Sequence, residues 1–187
     1  MQRRTFLIWF GRAVYTACAA IIATPTLRFL AAPLAKSPAE GRSISRRIAR
    51  LDSLPVGEPR RLAILGTRQN GWTRYPDQVV GHIWVTRVSP AATPAGQTEL
   101  SVFNASCPHR GCPIQEAVKT GFSCPCHGAK FAADGTRVAD ADFVNPSPRD
   151  MDPLGHRVVK DEATGQWWLE VDFQEFEVGR ADRVEKA

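Results

Sequence analysis

The sequence lacks the marks of several common protein classes. It has no glycine-rich phosphate loop and no nucleophilic triad pattern, and Glu40 is its only acidic residue before position 51. Nine Lys or Arg residues give residues 1–50 a charge of about +8, whereas residues 51–187 carry about −3. Because a nucleic-acid-binding domain carries its positive charge on its folded surface, we expect no nucleic acid partner.

The basic N-terminal segment has the features of an export signal and of a membrane anchor. It opens with MQRRTFL, and such an arginine pair before an apolar run is typical of a twin-arginine signal. Residues 6–27 would form a helix of about 33 Å, enough to cross a hydrocarbon core of about 30 Å. We therefore predict a twin-arginine signal and single transmembrane anchor at residues 1–35. The positive-inside bias then places the remaining chain on the outer, periplasmic side of a bacterial cytoplasmic membrane.

The segment that follows has a different composition. Residues 36–54 are rich in Pro, Ala, Ser and Arg and have no sustained hydrophobic period, which is typical of a linker. Ile44, Ile48 and Leu51 fall on one helical face, so a short helix from Ser43 to Leu51 fits the pattern. We predict a neck or linker over residues 36–54.

Residues 55–187 show the pattern of a β domain. Short alternating or β-branched runs such as RLAILG, QVVGHIWVTRV and TELSVFN are separated by Gly, Pro and Asp. No run in this region keeps a helical period over three turns, so a parallel α/β fold is not expected. The region is long enough to bury its own core, and its cysteines therefore need another reason.

Four of the five cysteines and two of the four histidines lie in two short boxes, CPHRGC at 107–112 and CPCH at 124–127. A 2Fe-2S centre with two thiolates on one iron and two imidazoles on the other needs one Cys and one His from each of two loops. The candidate ligands of such a centre are Cys107, His109, Cys124 and His127.

A zinc site is the simpler alternative, since two Cys and two His also satisfy tetrahedral zinc. The two remaining box cysteines argue against zinc. Cys112 and Cys126 lie beside the ligand pairs at offsets that allow one disulfide to join the two loops, and an exported domain is where such a bond persists. The remaining histidines, His82 and His156, and Cys18 in the apolar run are interpreted as structural.

At these residues the sequence resembles the Rieske proteins, and the extra cysteine pair resembles the subset found in cytochrome bc complexes. The resemblance implies a Rieske-type antiparallel β sandwich in three layers, in which a cluster-binding subdomain near residues 103–148 is inserted. It also implies an N-terminal anchor with a flexible neck. The segment NPSPRDMDPLGHRV resembles the proline-rich loop of that family, although it begins with Asn145 where the family has glycine.

The resemblance also implies a function. The chain would be the iron-sulfur subunit of a quinol-oxidising cytochrome bc-type respiratory complex, in which it contacts a cytochrome b-type subunit. It would take one electron from quinol through its 2Fe-2S cluster and pass it to a cytochrome c haem, with His109 and His127 at the working end. Isolated from the complex, the chain would be an electron carrier. The alternatives are the Rieske small subunit of a molybdenum oxidoreductase such as arsenite oxidase, and a simple Rieske ferredoxin.

Two residues depart from the pattern of high-potential members of the family. Ala129 and Phe131 stand where those members have a serine and a tyrosine. Hydroxyl donors to the cluster favour its more negative, reduced form, so their loss lowers the reduction potential. This departure favours menaquinol over ubiquinol as the electron donor.

Overall fold

The computed structural model describes residues 3–34, 44–70, 72–90, 92–117, 121–138 and 142–186. In this part of the chain one long helix precedes nine strands, which confirms the predicted all-β class with one N-terminal apolar helix. The elements are α1 (Arg3–Ala31), β1 (Ile44–Arg50), β2 (Arg60–Asn70), β3 (Thr73–Arg87), β4 (Leu100–Asn104), β5 (Gln115–Ala117), β6 (Gly121–Cys124), β7 (Ala129–Ala132), β8 (Gly155–Lys160) and β9 (Trp167–Phe173).

Helix α1 is long and apolar enough to cross a membrane. Its best window of 18 residues has a mean hydropathy of 1.7, and none of that window is buried. Together with the hairpin tip Gln69–Arg74 it forms the first of two compact units. Within this unit the Trp72 ring stacks on Phe29 at 4.6 Å, and its Nε1 donates a hydrogen bond to the Phe29 carbonyl oxygen at 2.8 Å.

The second unit contains three sheets of three strands each, in the orders β1-β9-β8, β2-β3-β4 and β5-β6-β7. The first two sheets enclose the base core, which is mainly aliphatic. Along β9 every second side chain points into it, as expected for a strand with one buried face. The base core consists of Leu51, Leu54, Ile64, Ile83, Val85, Leu100, Val102, Leu154, Leu169, Val171 and Phe173.

The sheet β2-β3-β4 contributes side chains to two cores, one on each face. On β3, Ile83 and Val85 face the base core while Trp84 between them faces the other way, and on β4 Val102 and Phe103 divide in the same manner. Trp84 and Phe103 thus enter a second, cluster-end core, which lies against the sheet β5-β6-β7. The cluster-end core consists of Trp84, Phe103, Ala105, Cys107, Ile114, Phe122, Cys124, Ala129, Phe131 and Met151.

The short helix expected from Ser43 to Leu51 is wrong. Ile44–Arg50 form β1, which pairs antiparallel with β9, and Leu51 begins the 3₁₀ turn that follows. The register shifts between Arg47 and Ala49, and this bulge lets Ile48 and Ala49 both pack against the base core. A strand with one bulge therefore produced the apolar spacing that suggested a helix.

The second half of the predicted neck is folded as well. After β1, the chain makes a 3₁₀ turn at Leu51–Ser53, and Leu51 and Leu54 are each only 4% exposed in the base core. The neck prediction is therefore corrected for residues 44–54. Their apolar residues, although spaced by polar ones, are packed in or against the base core, and β1 pairs with β9 from a distant part of the chain. Residues 36–43, the other part of the predicted neck, lie outside the described residues.

Candidate metal centre

The two boxes fold into two loops with the same local geometry. The first ligand loop (Cys107–Cys112) follows β4, and the second ligand loop (Cys124–Gly128) connects β6 to β7. In each, a glycine four residues after the cysteine donates its N–H to that cysteine's carbonyl oxygen: Gly111 to Cys107 at 2.8 Å and Gly128 to Cys124 at 3.0 Å. Both loops therefore turn back on themselves within five residues.

Gly111 and Gly128 have φ angles of +75° and +74°. Side chains with a Cβ rarely adopt this conformation, so glycine is needed at both turns. The sequence carries this signal twice, as CPHRG and CPCHG, but the spacing of Cys and His alone does not reveal it. These two glycines are functional residues that sequence reasoning missed.

Two free thiols lie at the base of the loops. Cys107 and Cys124 are each 1% exposed and belong to the cluster-end core. Burial, together with the neighbouring Cys124 thiol, raises the pKa of the Cys107 thiol to about 11. A cation bound here would replace the protons and stabilise both sulfurs as thiolates.

Two imidazoles lie beside each other at the tips of the same loops. The ring centroids of His109 and His127 are 4.7 Å apart with planes at 79°. His127 is exposed, whereas His109 is half-buried, and its Nδ1 is a buried atom with no hydrogen-bond partner in the described part of the chain. Burial lowers the pKa of His109, and the positive charges of His127 and Arg110 lower it further. The neutral ring is the form that binds metals.

A disulfide joins the two loops, as predicted, between Cys112 and Cys126. The sulfurs of these residues and of Cys124 all lie within 4.8 Å of one another. Since two of these three sulfurs are bonded to each other, Cys124 alone remains free to bind a metal. The bridge connects segments 14 residues apart and so fixes the loops relative to each other.

Aromatic side chains support the two loops from the protein side. The indole Nε1 of Trp84 donates to the Ile114 carbonyl oxygen at 3.1 Å, just after the first ligand loop, and its ring packs against Phe122 at 5.3 Å. Behind the second ligand loop, Ala129 is 0% and Phe131 2% exposed. Both positions are thus enclosed beside the site, and neither side chain offers a hydroxyl.

The proline-containing segment after β7 is organised by Asn145. Its side-chain Nδ2 donates to the carbonyl oxygens of Lys130 at 2.6 Å and Val138 at 3.1 Å, and its Oδ1 accepts from the Ser147 N–H at 3.0 Å. The asparagine found where glycine was expected therefore ties this segment to β7 through its side chain.

The structure brings together every predicted site residue: two buried thiols, two adjacent imidazoles and the disulfide pair. The family profile for the Rieske 2Fe-2S domain matches residues 46–147, more than half of the chain and all of both ligand loops. The chain therefore belongs to the Rieske 2Fe-2S family. Its cofactor is a 2Fe-2S cluster, and the soft thiols, the inward unpaired imidazole nitrogen and the second imidazole fit that group.

Similar proteins carry the same kind of domain. The cytochrome b6-f complex iron-sulfur subunit of Synechococcus sp. (strain JA-3-3Ab) is 34% identical over 74 residues, which are 39% of this chain and 40% of that protein. The chloroplastic subunit of Volvox carteri is 34% identical over 85 residues, 44% of this chain and 38% of that protein. The chain thus spans about two fifths of the length of these relatives. Among solved structures, a hyperthermophilic respiratory Complex III matches 86% of this chain and 98% of its own, at 15% identity and a TM-score of 0.39.

Proposed function

We propose that Cys107, His109, Cys124 and His127 hold the 2Fe-2S cluster of the iron-sulfur subunit of a quinol-oxidising cytochrome bc-type complex. The observation that carries the proposal is the pairing of two buried thiols with two adjoining imidazoles on two matching loops. The buried Nδ1 of His109, which has no hydrogen-bond partner among the described residues, supports it, because such a nitrogen is free to bind a metal.

The exposed end of the site is suited to proton transfer. When bound, the cluster would supply one-electron redox chemistry. The imidazole of His127 is exposed, so one ring nitrogen can accept a hydrogen bond from a quinol hydroxyl and take its proton while the other binds metal. The half-buried His109 lies against it and presents a second ring to the same donor. A cytochrome c haem would be the electron acceptor.

The donor is a low-potential quinol such as menaquinol. Ala129 and Phe131 are enclosed behind the second ligand loop, so no hydroxyl from either position stabilises the reduced form. Charge-assisted hydrogen bonds are worth about 1.5–3 kcal/mol, which makes two missing donors significant on the scale of reduction potentials.

The chain works at the outer face of a bacterial cytoplasmic membrane. Helix α1 supports an anchor by its length and apolar composition, and the arginine pair supports twin-arginine export. Relatives that are iron-sulfur subunits of cytochrome b6-f complexes support a cytochrome b-type partner. The disulfide between the loops favours this function over the small subunit of a molybdenum oxidoreductase.

The ligand assignment is tested with four single variants of the full chain, produced where cluster assembly is intact. Cys124→Ser and His127→Gln should lose the cluster, measured as two irons and two labile sulfides per chain together with the visible spectrum. Cys18→Ser and His156→Gln are the matched controls, since Cys18 is exposed on α1 and His156 lies on β8. Stoichiometric zinc in the parent, with no visible absorbance, would contradict the assignment.

The quinol oxidation is tested on membranes of the native host. Deletion of the gene should abolish quinol-dependent reduction of cytochrome c, and the wild-type chain should restore it. In membranes with the restored chain, menaquinol analogues should support faster reduction of cytochrome c than ubiquinol analogues. Loss of a molybdenum-dependent oxidation, with quinol oxidation intact, would instead favour the molybdenum enzyme.

A further inference from the structure

The segment that follows β9 returns to the first ligand loop. The C-terminal turn (Glu177–Arg180) lies against it: the Gly179 N–H donates to the Pro108 carbonyl oxygen at 2.7 Å. A Cβ on Gly111 would lie 3.7 Å from a methyl group of Val178, and a Cβ on Gly179 would lie 3.7 Å from the His109 carbonyl oxygen. The last part of the chain is thus in contact with the loop that carries His109.

One buried guanidinium holds both ends of this turn. Arg149 Nη2 donates to the Glu177 carbonyl oxygen at 2.8 Å, and its Nη1 donates to the Arg180 carbonyl oxygen at 2.7 Å. Val178 and Gly179, the residues that contact the first ligand loop, lie between these two carbonyls. A planar guanidinium with both carbonyls on its fork fixes the spacing of the turn.

The guanidinium is itself fixed by an ion pair. Its Nε and Nη2 donate to the two carboxylate oxygens of Asp152, both at 2.8 Å, and the two side chains are only 9% and 5% exposed. The Asp152 carbonyl oxygen accepts from the Asn104 N–H at 2.8 Å, at the end of β4 where the first ligand loop begins. Arg149 and Asp152, here called the clamp, therefore connect the end of β4, which precedes the first ligand loop, with the C-terminal turn, which contacts that loop.

Stability alone does not account for this arrangement. A buried ion pair is weak grounds for stability, since desolvation of two charges offsets most of their attraction. What such a pair provides is fixed geometry, and here the fixed object is the backbone beside His109. The other ion pairs among the described residues lie at the surface, with at least one side chain more than 40% exposed.

We propose that Arg149 is a positioning residue, which clamps the C-terminal turn onto the first ligand loop and thereby sets the position and solvent shielding of the His109 imidazole. The proposal rests on the proposed ligand role of His109. The C-terminal turn thus belongs to the redox site, although the segment lies beyond the matched family region and contains none of the ligands.

The test uses the full chain with its cluster loaded. Arg149→Gln leaves the turn unheld, so we expect amide hydrogen exchange at Gly179 to become at least about tenfold faster, the loss of about one hydrogen bond. The midpoint potential and the electron paramagnetic resonance spectrum should shift as well. Arg149→Lys should show smaller changes in exchange and in potential than Arg149→Gln, because an ammonium can still donate to one of the two carbonyl oxygens of the turn.

Arg60→Gln is the matched control, because this exposed arginine lies outside the C-terminal turn and the ligand loops and forms a surface ion pair with Glu58. It should change neither readout. If Arg149→Gln leaves Asp152 unpaired and the protein does not fold, the double variant Arg149→Gln/Asp152→Asn removes both charges and replaces it in the comparison. Unchanged exchange at Gly179, or faster exchange with an unchanged potential and spectrum, would overturn the proposal. A parent without any 2Fe-2S signal would instead reject the proposed ligands.

Discussion

The base core and the cluster-end core belong to the same compact unit but are built from different side chains. The base core is aliphatic apart from Phe173 and lies between two sheets with strands of up to 15 residues. The cluster-end core contains four aromatic rings and two thiols, and its sheet has strands of three or four residues. Each core is therefore held together by a different kind of interaction.

The comparison shows how one domain separates stability from chemistry. The base core depends on buried apolar area and contains none of the proposed cluster ligands. The cluster end depends on a disulfide, on side-chain bonds to the backbone and on the metal itself, because its strands are too short to hold the ligand loops. Changes in the base core should affect unfolding, and changes at the cluster end should affect cluster retention and potential.

The largest effect is expected from Leu169→Ala in the base core. Leu169 is 0% exposed on the central strand β9, and such truncations cost about 2–5 kcal/mol of unfolding free energy. Denaturant unfolding followed by circular dichroism should show this loss with and without the cluster. Leu65→Ala, at a residue 48% exposed on β2, should cost less than about 0.5 kcal/mol. A loss that appears only in the cluster-loaded protein would break the distinction between the cores.

Removal of the disulfide should affect mainly the cluster end. In the double variant Cys112→Ser/Cys126→Ser the constraint on a loop of about 15 residues, worth about 3 kcal/mol, is lost. We expect faster release of iron to a chelator, and the loss of unfolding free energy should appear at the cluster end rather than in the base. Cys18→Ser is the control for loss of a cysteine outside the site. Unchanged iron release would show that the bridge does not hold the loops.

Ala129→Ser and Phe131→Tyr should each raise the midpoint potential by about 50–100 mV, since a hydrogen bond of about 1.4 kcal/mol corresponds to about 59 mV for one electron. The two shifts should add if the hydroxyls reach different sulfurs. Potentiometry on the full chain is the measurement, because removal of residues 1–50 would delete β1. Ala133→Ser, at an exposed position, should leave the potential unchanged. A double variant with the parent's potential would remove the basis for menaquinol.

The smallest effect is expected from Asn145→Ala. The change removes three hydrogen bonds, to Lys130 on β7, to Val138 and to Ser147 within the segment, but the segment is partly exposed and water replaces some of them. We expect a loss of about 1–2 kcal/mol, measured as faster amide exchange at Ser147. Asn145→Asp keeps the acceptor for Ser147 and should therefore protect that amide better than alanine does. Equal exchange in both variants would contradict the role of Oδ1.

Local patterns predicted the strands and the ligand boxes because their causes are local. Alternation along QVVGHIWVTRV already places Trp84 opposite to its neighbours, and the Cys and His spacing reflects loops that close within five residues. The strand β1 could not be predicted in this way. Its conformation depends on pairing with β9, and the bulge between Arg47 and Ala49 interrupts the alternation of apolar and polar residues that would indicate a strand.

The clamp at Arg149 was also beyond sequence reasoning. Its partners at Glu177 and Arg180 are backbone carbonyls 28 and 31 residues away, and a carbonyl leaves no mark in the sequence. The sequence shows Asn145 only as a departure from the expected glycine. Its hydrogen bonds to the carbonyl oxygens of Lys130 and Val138 depend on how the chain folds back beside β7. In contrast, the repeated Cys-Pro-x-x-Gly pattern was present in the sequence and could have predicted both turns.

The pairing of β1 with β9 has a consequence for the order of events during synthesis. The sheet β5-β6-β7 pairs residues between Gln115 and Ala132, so it can form while the ribosome is still making the rest of the chain. Ile44, by contrast, must wait for Phe173, its partner at the other end. The sheet β1-β9-β8 can therefore be completed only after β9 has been synthesised, and the turn at Glu177–Arg180 is synthesised later still. The residues of both ligand loops are therefore synthesised before the turn that contacts the first of them.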